Sequence, residues 1–272
     1  MMNILKHYHI TALFLLLLVL ACKKNQHTRP VIPEPEPVPV KPPPAISKIL
    51  VPIKLETTGL ILNLKYKDKT DLLTEISDAS GTKTVITYTA EQHPSELEKY
   101  KNGKLFYTAY YERADKKTTS KVIMFETKGS FYTPLGSYTL SYNNLQQLNE
   151  VKYYNHNEQL NKTRNLSYIS GNLSEEANTT PPSSAEVNTY TFDQKKGIAS
   201  HIKYSQILAL EHEHWFLYFT SNNILNLENP KMPLENISFS YEYNEDGYPS
   251  KMTINKNTSV QHIKITYKAL EP

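Results

Sequence analysis

The densest group of side chains that could perform chemistry is Glu211-His212-Glu213-His214. On a β-strand, residues two positions apart share a face, so His212 and His214 would present two imidazoles to one Zn²⁺ ion. A zinc site needs further ligands, for which His201 and His262 are candidates whose positions in space the sequence does not fix. The alternative is a solvated polar stretch beside an apolar one. Because the signal is weak, we expect no metal and no cofactor.

Motifs for other chemistry are sparse. The sequence has no Gly-x-Ser-x-Gly elbow and no glycine-rich phosphate loop, and its single Cys excludes an internal disulfide and a Cys-based zinc cluster. Acidic pairs such as Glu175-Glu176 and Glu245-Asp246 fall in turn-like segments, where solvated carboxylates are the default. A glycosidase needs only two carboxylates that converge in space, so a hydrolase stays open as an alternative. Our main expectation is a non-enzymatic protein without catalytic residues.

Tyrosine is the more informative residue type, since the chain has 20 Tyr but only 8 Phe and 1 Trp. A buried Tyr must find a partner for its hydroxyl group or keep it wet, so many Tyr on one strand face suggest a groove or a partly hydrated interior. Alternatively, Tyr simply favours strands and lines the edge of a core. The candidate binding surface consists of Tyr66, Tyr138, Tyr142, Trp215, Tyr241 and Tyr243.

The elements that must position these side chains are strands. Segments such as Ile237–Tyr243 and Leu60–Tyr66 alternate apolar and polar residues, which is typical of half-buried antiparallel strands. Turn residues separate such segments. We therefore predict an all-β domain, an antiparallel meander of ten or more strands curled into an open or closed barrel, with one short helix.

One hairpin is specified in detail by its turn. Asn102-Gly103 lies between two aromatic-rich runs and predicts a two-residue type I′ turn. With this turn, Tyr100 would pair with Leu105, and Glu98 with Tyr107.

Two segments break the alternation. Ser170 to Ala185 is rich in Ser, Thr, Asn and Pro and is predicted to be a loop. In Ser205 to Asn222 we predict a helical turn or short helix near Gln206–Glu211, then strand or buried extended chain through Trp215–Thr220, which together would plug one mouth of the sheet.

The composition excludes several classes of protein. The 30 Lys and Arg against 27 Asp and Glu give a net charge of +3, which is too small to indicate a nucleic-acid partner. An aromatic content of 11% excludes a collagen-like or wholly disordered chain.

Residues 1–21 are typical of a secretory signal peptide, because the apolar run Ile10 to Leu20 is too short to cross a bilayer as a helix. The run ends in Val19-Leu20-Ala21-Cys22, which resembles the lipobox of bacterial lipoproteins. The resemblance implies that the peptide is cleaved before Cys22 and that Cys22 carries the lipid anchor. The implied location is the cell envelope, at the periplasmic face of the outer membrane, and the membrane is the implied partner.

A linker follows the lipid anchor. Eight of the fifteen residues from Pro30 to Pro44 are Pro, which predicts a polyproline II spacer of about 45 Å. We assign residues 22–46 to the lipidated Cys and linker, and residues 47–272 to a single β domain.

The segment from Tyr241 to Ile254, with Leu217–Asn226 ahead of it, resembles a large set of uncharacterised Gram-negative envelope lipoproteins. These proteins share a signal, a spacer and a Tyr-rich meander, and a domain of unknown function among them is described as porin-like in fold. The segment is also similar to tyrosine–aspartate repeats of the Rhs type, although the repeats here are few and divergent. The resemblance implies architecture and location but no activity.

These observations lead to three functional hypotheses. The first is a membrane-anchored, non-enzymatic β domain that binds a ligand or an envelope protein. The second is a periplasmic carrier of apolar molecules with a Tyr-lined barrel interior, and the third is a hydrolase with convergent carboxylates. A transmembrane barrel is disfavoured, because the alternating runs of six to eight residues are shorter than the ~9–11 residues of a spanning strand.

Overall fold

The computed structural model of the protein describes residues 48–115, 118–212 and 221–270. Sixteen antiparallel strands form a closed barrel, which confirms the predicted all-β meander. The strands are β1 (Leu50–Thr57), β2 (Leu60–Tyr66), β3 (Leu73–Asp78), β4 (Thr82–Tyr88), β5 (Pro94–Lys101), β6 (Lys104–Arg113), β7 (Thr119–Lys128), β8 (Phe131–Tyr142), β9 (Leu148–Asn155), β10 (Leu160–Ile169), β11 (Asn172–Thr179), β12 (Glu186–Lys196), β13 (Asn222–Glu228), β14 (Ile237–Tyr243), β15 (Pro249–Lys256) and β16 (Ser259–Ala269).

Each strand pairs with the strands before and after it in the chain, and β1 pairs with β16. The register of this closing pair runs from Leu50 opposite Ala269 to Glu56 opposite Lys264. Closure leaves no free strand edge, so every strand has two hydrogen-bonded neighbours. We call the end that holds the turns after odd-numbered strands the tip end, and the opposite end, where β1 begins at Leu50, the plug end.

The alternation seen in the sequence separates the inner and outer faces of the wall. Inward-facing side chains such as Leu64, Leu97 and Val122 form one buried core. The outer face carries ion pairs between neighbouring strands, including Lys65–Glu75 and Lys251–Glu242, each with an N···O distance of 2.8 Å. Period-two patterning therefore places charge outside and apolar side chains inside.

The Asn102-Gly103 turn forms as predicted, with positive φ angles of 50° and 75° at its two residues. Tyr100 pairs with Leu105 as expected, but Tyr107 pairs with Lys99 and not with Glu98. The second part of the prediction is wrong because a β-bulge shifts the register between Lys99 and Tyr100. The inserted residue is Phe106 on β6, and it places Tyr107 on the inward face that Lys99 shares with Leu97.

The prediction of a loop from Ser170 to Ala185 is wrong for residues 172–179, which form β11 and pair with both β10 and β12, and is confirmed for residues 180–185. The alternation is not evident in the sequence of β11, because one of its inward-facing residues, Glu176, is charged. Glu176 is nevertheless 7% exposed, because Arg164 on β10 forms an ion pair with it. A buried carboxylate with such a partner is compatible with a strand.

Between β12 and β13, residues 197–212 fold back into the barrel, and we call them the plug. They contain the short helix α1 (Ser205–Leu208) and one 3-10 turn (Ala209–Glu211), which confirms the predicted helical turn. Leu208 is fully buried, and the Gln206 side chain accepts a hydrogen bond from the Leu148 backbone N–H at 3.1 Å. The predicted extended segment Trp215–Thr220 lies outside the described residues. Within the described ranges, no helix is both long and apolar enough to cross a membrane.

Candidate functional site

A cavity of about 550 Å³ lies inside the barrel at the tip end. Its walls are the inward faces of β14, β15 and β16, continued by β1 and β2. The deeper part is apolar. The lining residues are Leu55, Thr57, Leu60, Leu62, Asp78, Ile237, Phe239, Met252, Ile254, Lys256, Ser259, Gln261 and Ile263.

The first and last strands meet in this cavity. Leu55 of β1 and Met252 of β15 are both buried, and the strand between them, β16, joins the two ends of the sheet. The cavity therefore exists only because the meander closes. Phe239 on β14 is likewise buried and extends the apolar wall.

Polar side chains lie at the rim of the cavity, and the two charged ones have partners. Lys256 forms an ion pair with Glu235. The Asp78 carboxylate accepts hydrogen bonds from the Ser80 hydroxyl at 2.7 Å and from the Thr82 backbone N–H at 2.9 Å. Burial acts to raise the pKa of Asp78, but these hydrogen bonds outweigh it and hold the pKa below its ordinary value. The rim therefore adds satisfied charges and neutral hydrogen-bonding groups to an apolar wall.

A second group of polar residues connects the plug to the wall. The Tyr138 hydroxyl donates to Glu211 Oε1 at 2.8 Å, and Lys99 Nζ donates to the Glu211 backbone carbonyl at 2.8 Å. Lys99 Nζ also lies 3.5 Å from Glu211 Oε2 and 4.4 Å from the centre of the Tyr107 ring. Burial, followed by the charge of Glu211, raises the pKa of Tyr107 and of Tyr138 well above the usual value, so both hydroxyls stay protonated and act as donors.

A third polar group lies across β10, β11 and β12. Arg164 Nε is 2.9 Å from Glu176 Oε1, and the Tyr190 hydroxyl donates to Glu176 Oε2 at 2.8 Å. Burial would raise the pKa of Glu176, but Arg164 and the hydrogen bonds from Asn178 and Tyr190 outweigh it and lower the pKa. A general acid requires a raised pKa, so Glu176 is unsuited to that role. The expectation that Glu175-Glu176 lies in a solvated turn is wrong at Glu176, and the sequence carried no signal for its pairing with Arg164.

The predicted Tyr surface is distributed around the wall. Tyr66, Tyr142 and Tyr241 donate their hydroxyl hydrogens to backbone carbonyls of the preceding strand, at 2.7–3.0 Å. Tyr88 and Tyr168 make the same contact. Burial raises the pKa of Tyr142 and of Tyr241 above the ordinary value, in agreement with hydroxyls that act as permanent donors.

The two remaining described members of that surface bond to carboxylates. Tyr138 bonds to Glu211, and Tyr243 bonds to Asp193. None of these tyrosines lines the tip-end cavity. The apolar wall of this cavity consists of aliphatic side chains, Met252 and Phe239, whereas the hydroxyl groups of the described tyrosines join strands or reach carboxylates; a Tyr binding surface stays a prediction. Trp215 lies outside the described residues.

Two of the histidines that suggested a zinc site, His212 and His262, do not lie together. His212 is the last plug residue that the structure describes and is partly buried, and burial together with the charge of Lys99 lowers its pKa to about 3. His262 lies on the outer face of β16, where its Nδ1 is 3.0 Å from the Thr253 hydroxyl. The wall therefore separates His262 from His212.

His201 lies in the first part of the plug, with its ring 5.9 Å from that of Tyr248. His214 lies outside the described residues, as does Cys22. Across residues 48–115, 118–212 and 221–270, no group of three or more His, Cys, Asp or Glu is arranged to hold a metal ion.

Comparison of the sequence with protein-family models and with curated proteins finds no match. Among solved structures, the chain is similar to a porin-like protein from Bacteroides uniformis ATCC 8492, with a TM-score of 0.53 and 13% identity over 82% of this chain and 96% of that chain. A porin-like protein from Bacteroides vulgatus ATCC 8482 has a TM-score of 0.39 and 12% identity over 80% of this chain and 99% of that chain. The first of these likenesses confirms the porin-like barrel fold that the sequence resemblance implied, and at this identity it shows the fold alone.

Proposed function

We propose that the protein is a non-enzymatic, lipid-anchored envelope protein whose barrel binds a small apolar ligand in the tip-end cavity. The observation that carries this proposal is the cavity itself, whose volume of about 550 Å³ is typical of small-molecule sites. Its deep wall is formed by side chains such as Leu55, Met252 and Ile263. A ligand that buried about 300 Å² of apolar surface would gain roughly 7 kcal/mol before the costs of association.

The chemistry of the rim favours an uncharged ligand. Lys256 is neutralised by Glu235, and the Asp78 carboxylate is already hydrogen-bonded within its own turn. A ligand carboxylate would therefore have to compete with an existing ion pair. Neutral groups such as the Gln261 amide remain suited to a hydroxyl or ester.

The outer face of the wall supports a barrel that lies in water. Six strands have 10–12 residues, so strand length alone does not disfavour a transmembrane barrel. Transmembrane strands, however, present an apolar band to lipid, whereas charged pairs such as Lys65–Glu75 and Lys152–Glu150 lie on the outer face here. In this proposal the porin-like barrel therefore binds a ligand in its interior and does not act as a pore.

The membrane attachment in this proposal rests on Cys22 and the linker of residues 22–46. Acylation of Cys22 would hold the protein at the periplasmic face of the outer membrane. Mass spectrometry of the mature N-terminus tests this part by itself. An unmodified N-terminus downstream of Cys22 would refute the anchor without affecting the cavity.

Transport of the ligand between membranes is a second candidate function that uses the same cavity. The specific observation in its favour is that the cavity lies at the tip end, opposite the end where β1 begins at Leu50. An apolar ligand could thus enter the barrel at the end opposite the start of β1. A hydrolase finds no such support, because the Glu176 carboxylate is paired with Arg164 and has a lowered pKa.

Fluorescence titration with N-phenyl-1-naphthylamine tests the binding site. Ile254→Trp places a large ring in the cavity and is expected to weaken binding of this probe at least about tenfold. The control is Ser240→Trp on the outer face of neighbouring β14, where Ser240 is exposed. Equal probe affinity in the Ile254→Trp variant and the unmodified protein would refute this cavity as the site.

A further inference from the structure

Exposed apolar side chains are concentrated at the tip end of the barrel. Of the 13 exposed large hydrophobic residues in the described ranges, nine lie in or beside tip-end hairpins. The most prominent are Phe131 and Leu234, at 78% and 75% exposure. The nine residues are Leu60, Phe106, Phe131, Tyr132, Leu135, Leu160, Met232, Leu234 and Val260.

The tip of the hairpin between β7 and β8 pairs with neither of its neighbouring strands. The pairing of β6 with β7 ends at Glu126, and the pairing of β9 with β8 begins at Gly136. Residues 127–135 therefore pair only within their own hairpin, and residues 131–135 are all exposed. An exposed apolar hairpin tip of this kind is costly in water unless a partner covers it.

Aromatic contacts on the outer face support the β7–β8 hairpin. The Phe125 ring packs edge-on against Tyr110 at 5.8 Å and against Tyr132 at 6.2 Å. Below these rings, the hydroxyl groups of Thr108 and Thr127 are buried and lie 3.3 Å apart. These contacts hold the hairpin in place, and with it the exposed apolar side chains.

Lysines flank these side chains. Lys104 follows the β5–β6 turn and Lys128 precedes the β7–β8 turn, and both are exposed. Lys101 is also exposed at the β5–β6 turn, where it bonds to the hydroxyl groups of Ser80 and Thr82. Residues 101–106 and 126–135 of the two adjacent tips contain these three lysines and one acidic residue, Glu126, so their net charge is 3 − 1 = +2.

We propose that the β5–β6 and β7–β8 tips form a docking surface for an anionic phospholipid bilayer. Apolar and aromatic side chains at this surface would enter the boundary between headgroups and acyl chains, and the lysines would contact the phosphate groups. The charge of the tips complements anionic headgroups, and the exposed Phe and Tyr supply the apolar contact. This surface is separate from the cavity, whose walls lie on inward faces of β14–β16, β1 and β2.

Vesicle flotation tests this inference. The protein is the chain from residue 22 onward with Cys22→Ser, which keeps all sixteen strands but has neither the apolar signal run nor an attached lipid. Phosphatidylcholine vesicles with about a quarter phosphatidylglycerol should bind it, and Phe131→Ser with Tyr132→Ser should lower the partition coefficient at least about tenfold. The matched control is Leu145→Ser with Ile169→Ser, two residues of 79% and 68% exposure at the plug end.

A second pair of variants separates charge from apolar contact. Lys104→Gln and Lys128→Gln should each lower binding to the anionic vesicles about fivefold and leave the weaker binding to pure phosphatidylcholine unchanged. Circular dichroism confirms that each variant is folded. Absence of the unmodified protein from the floating fraction, or equal losses in the tip and plug-end variants, would overturn the proposal. Retention of full vesicle binding by the tip variant would do the same and would direct attention to a protein partner.

Discussion

The ion pair between Lys99 and Glu211 offers a quantitative test of how the plug is held. The Glu211 side chain is 3% exposed and that of Lys99 is 22% exposed, with 3.5 Å between Lys99 Nζ and Glu211 Oε2. Lys99→Met removes the cation and leaves a buried carboxylate whose remaining partners include the Tyr138 hydroxyl. Breaking a buried pair from one side costs about 3–5 kcal/mol. Since Lys99 is partly exposed and Tyr138 stays bonded, we expect a loss of about 3 kcal/mol.

Thermal unfolding followed by circular dichroism measures this loss. For a domain of this size, about 3 kcal/mol corresponds to a decrease in Tm of roughly 6–12 °C. The double variant Lys99→Met with Glu211→Gln removes both charges and should recover at least about half of the stability. The control is Lys251→Met, which breaks a shorter but exposed pair with Glu242 and should cost less than about 1 kcal/mol. Equal losses in the two single variants would refute the claim that burial makes the Lys99 pair important.

Two further predictions concern His212 and Tyr241. Because the folded pKa of His212 is lowered to about 3 from 6.5, the unfolded chain binds the extra proton first, so stability is complete above about pH 6.5 and falls towards pH 3. At pH 5 this loss amounts to about 2 kcal/mol. Urea unfolding of His212→Gln should therefore show a dependence of stability on pH that is weaker than that of the unmodified protein by this amount. Equal pH profiles for the two proteins would contradict a neutral imidazole at this position. Tyr241→Phe deletes the hydroxyl that donates to the Ile224 carbonyl at 2.7 Å and should lower stability by about 1–2 kcal/mol. The same variant should leave affinity for N-phenyl-1-naphthylamine unchanged, and a large loss of affinity would return Tyr241 to the binding surface.

The sequence predicted the barrel because its evidence is local. In Ile237–Tyr243, successive side chains alternate between apolar and polar, and the strand pleat converts this order directly into an inner and an outer face. At Asn102-Gly103, two residues that tolerate positive φ determine the turn. Neither inference requires knowledge of a distant residue.

The errors arose where a distant partner or one inserted residue changed the outcome. The bulge between Lys99 and Tyr100 changed the partner of Tyr107, and no turn residue announces it. Glu176 was assigned to a solvated turn because its charge was counted alone, whereas Arg164 on the neighbouring strand makes its burial possible. The Tyr excess is visible in the sequence, but whether a hydroxyl faces a ligand or a backbone carbonyl depends on the strand beside it.

What the sequence by itself determined is therefore the repeated hairpin: alternating strands, their turns and the wet outer face. What only the tertiary structure decided is the cavity and the position of the exposed tips. Leu55 and Met252 lie near opposite ends of the domain sequence and come together because β16 pairs with β1. Such closure depends on the summed twist and tilt of all sixteen strands, a property that no single stretch of residues carries.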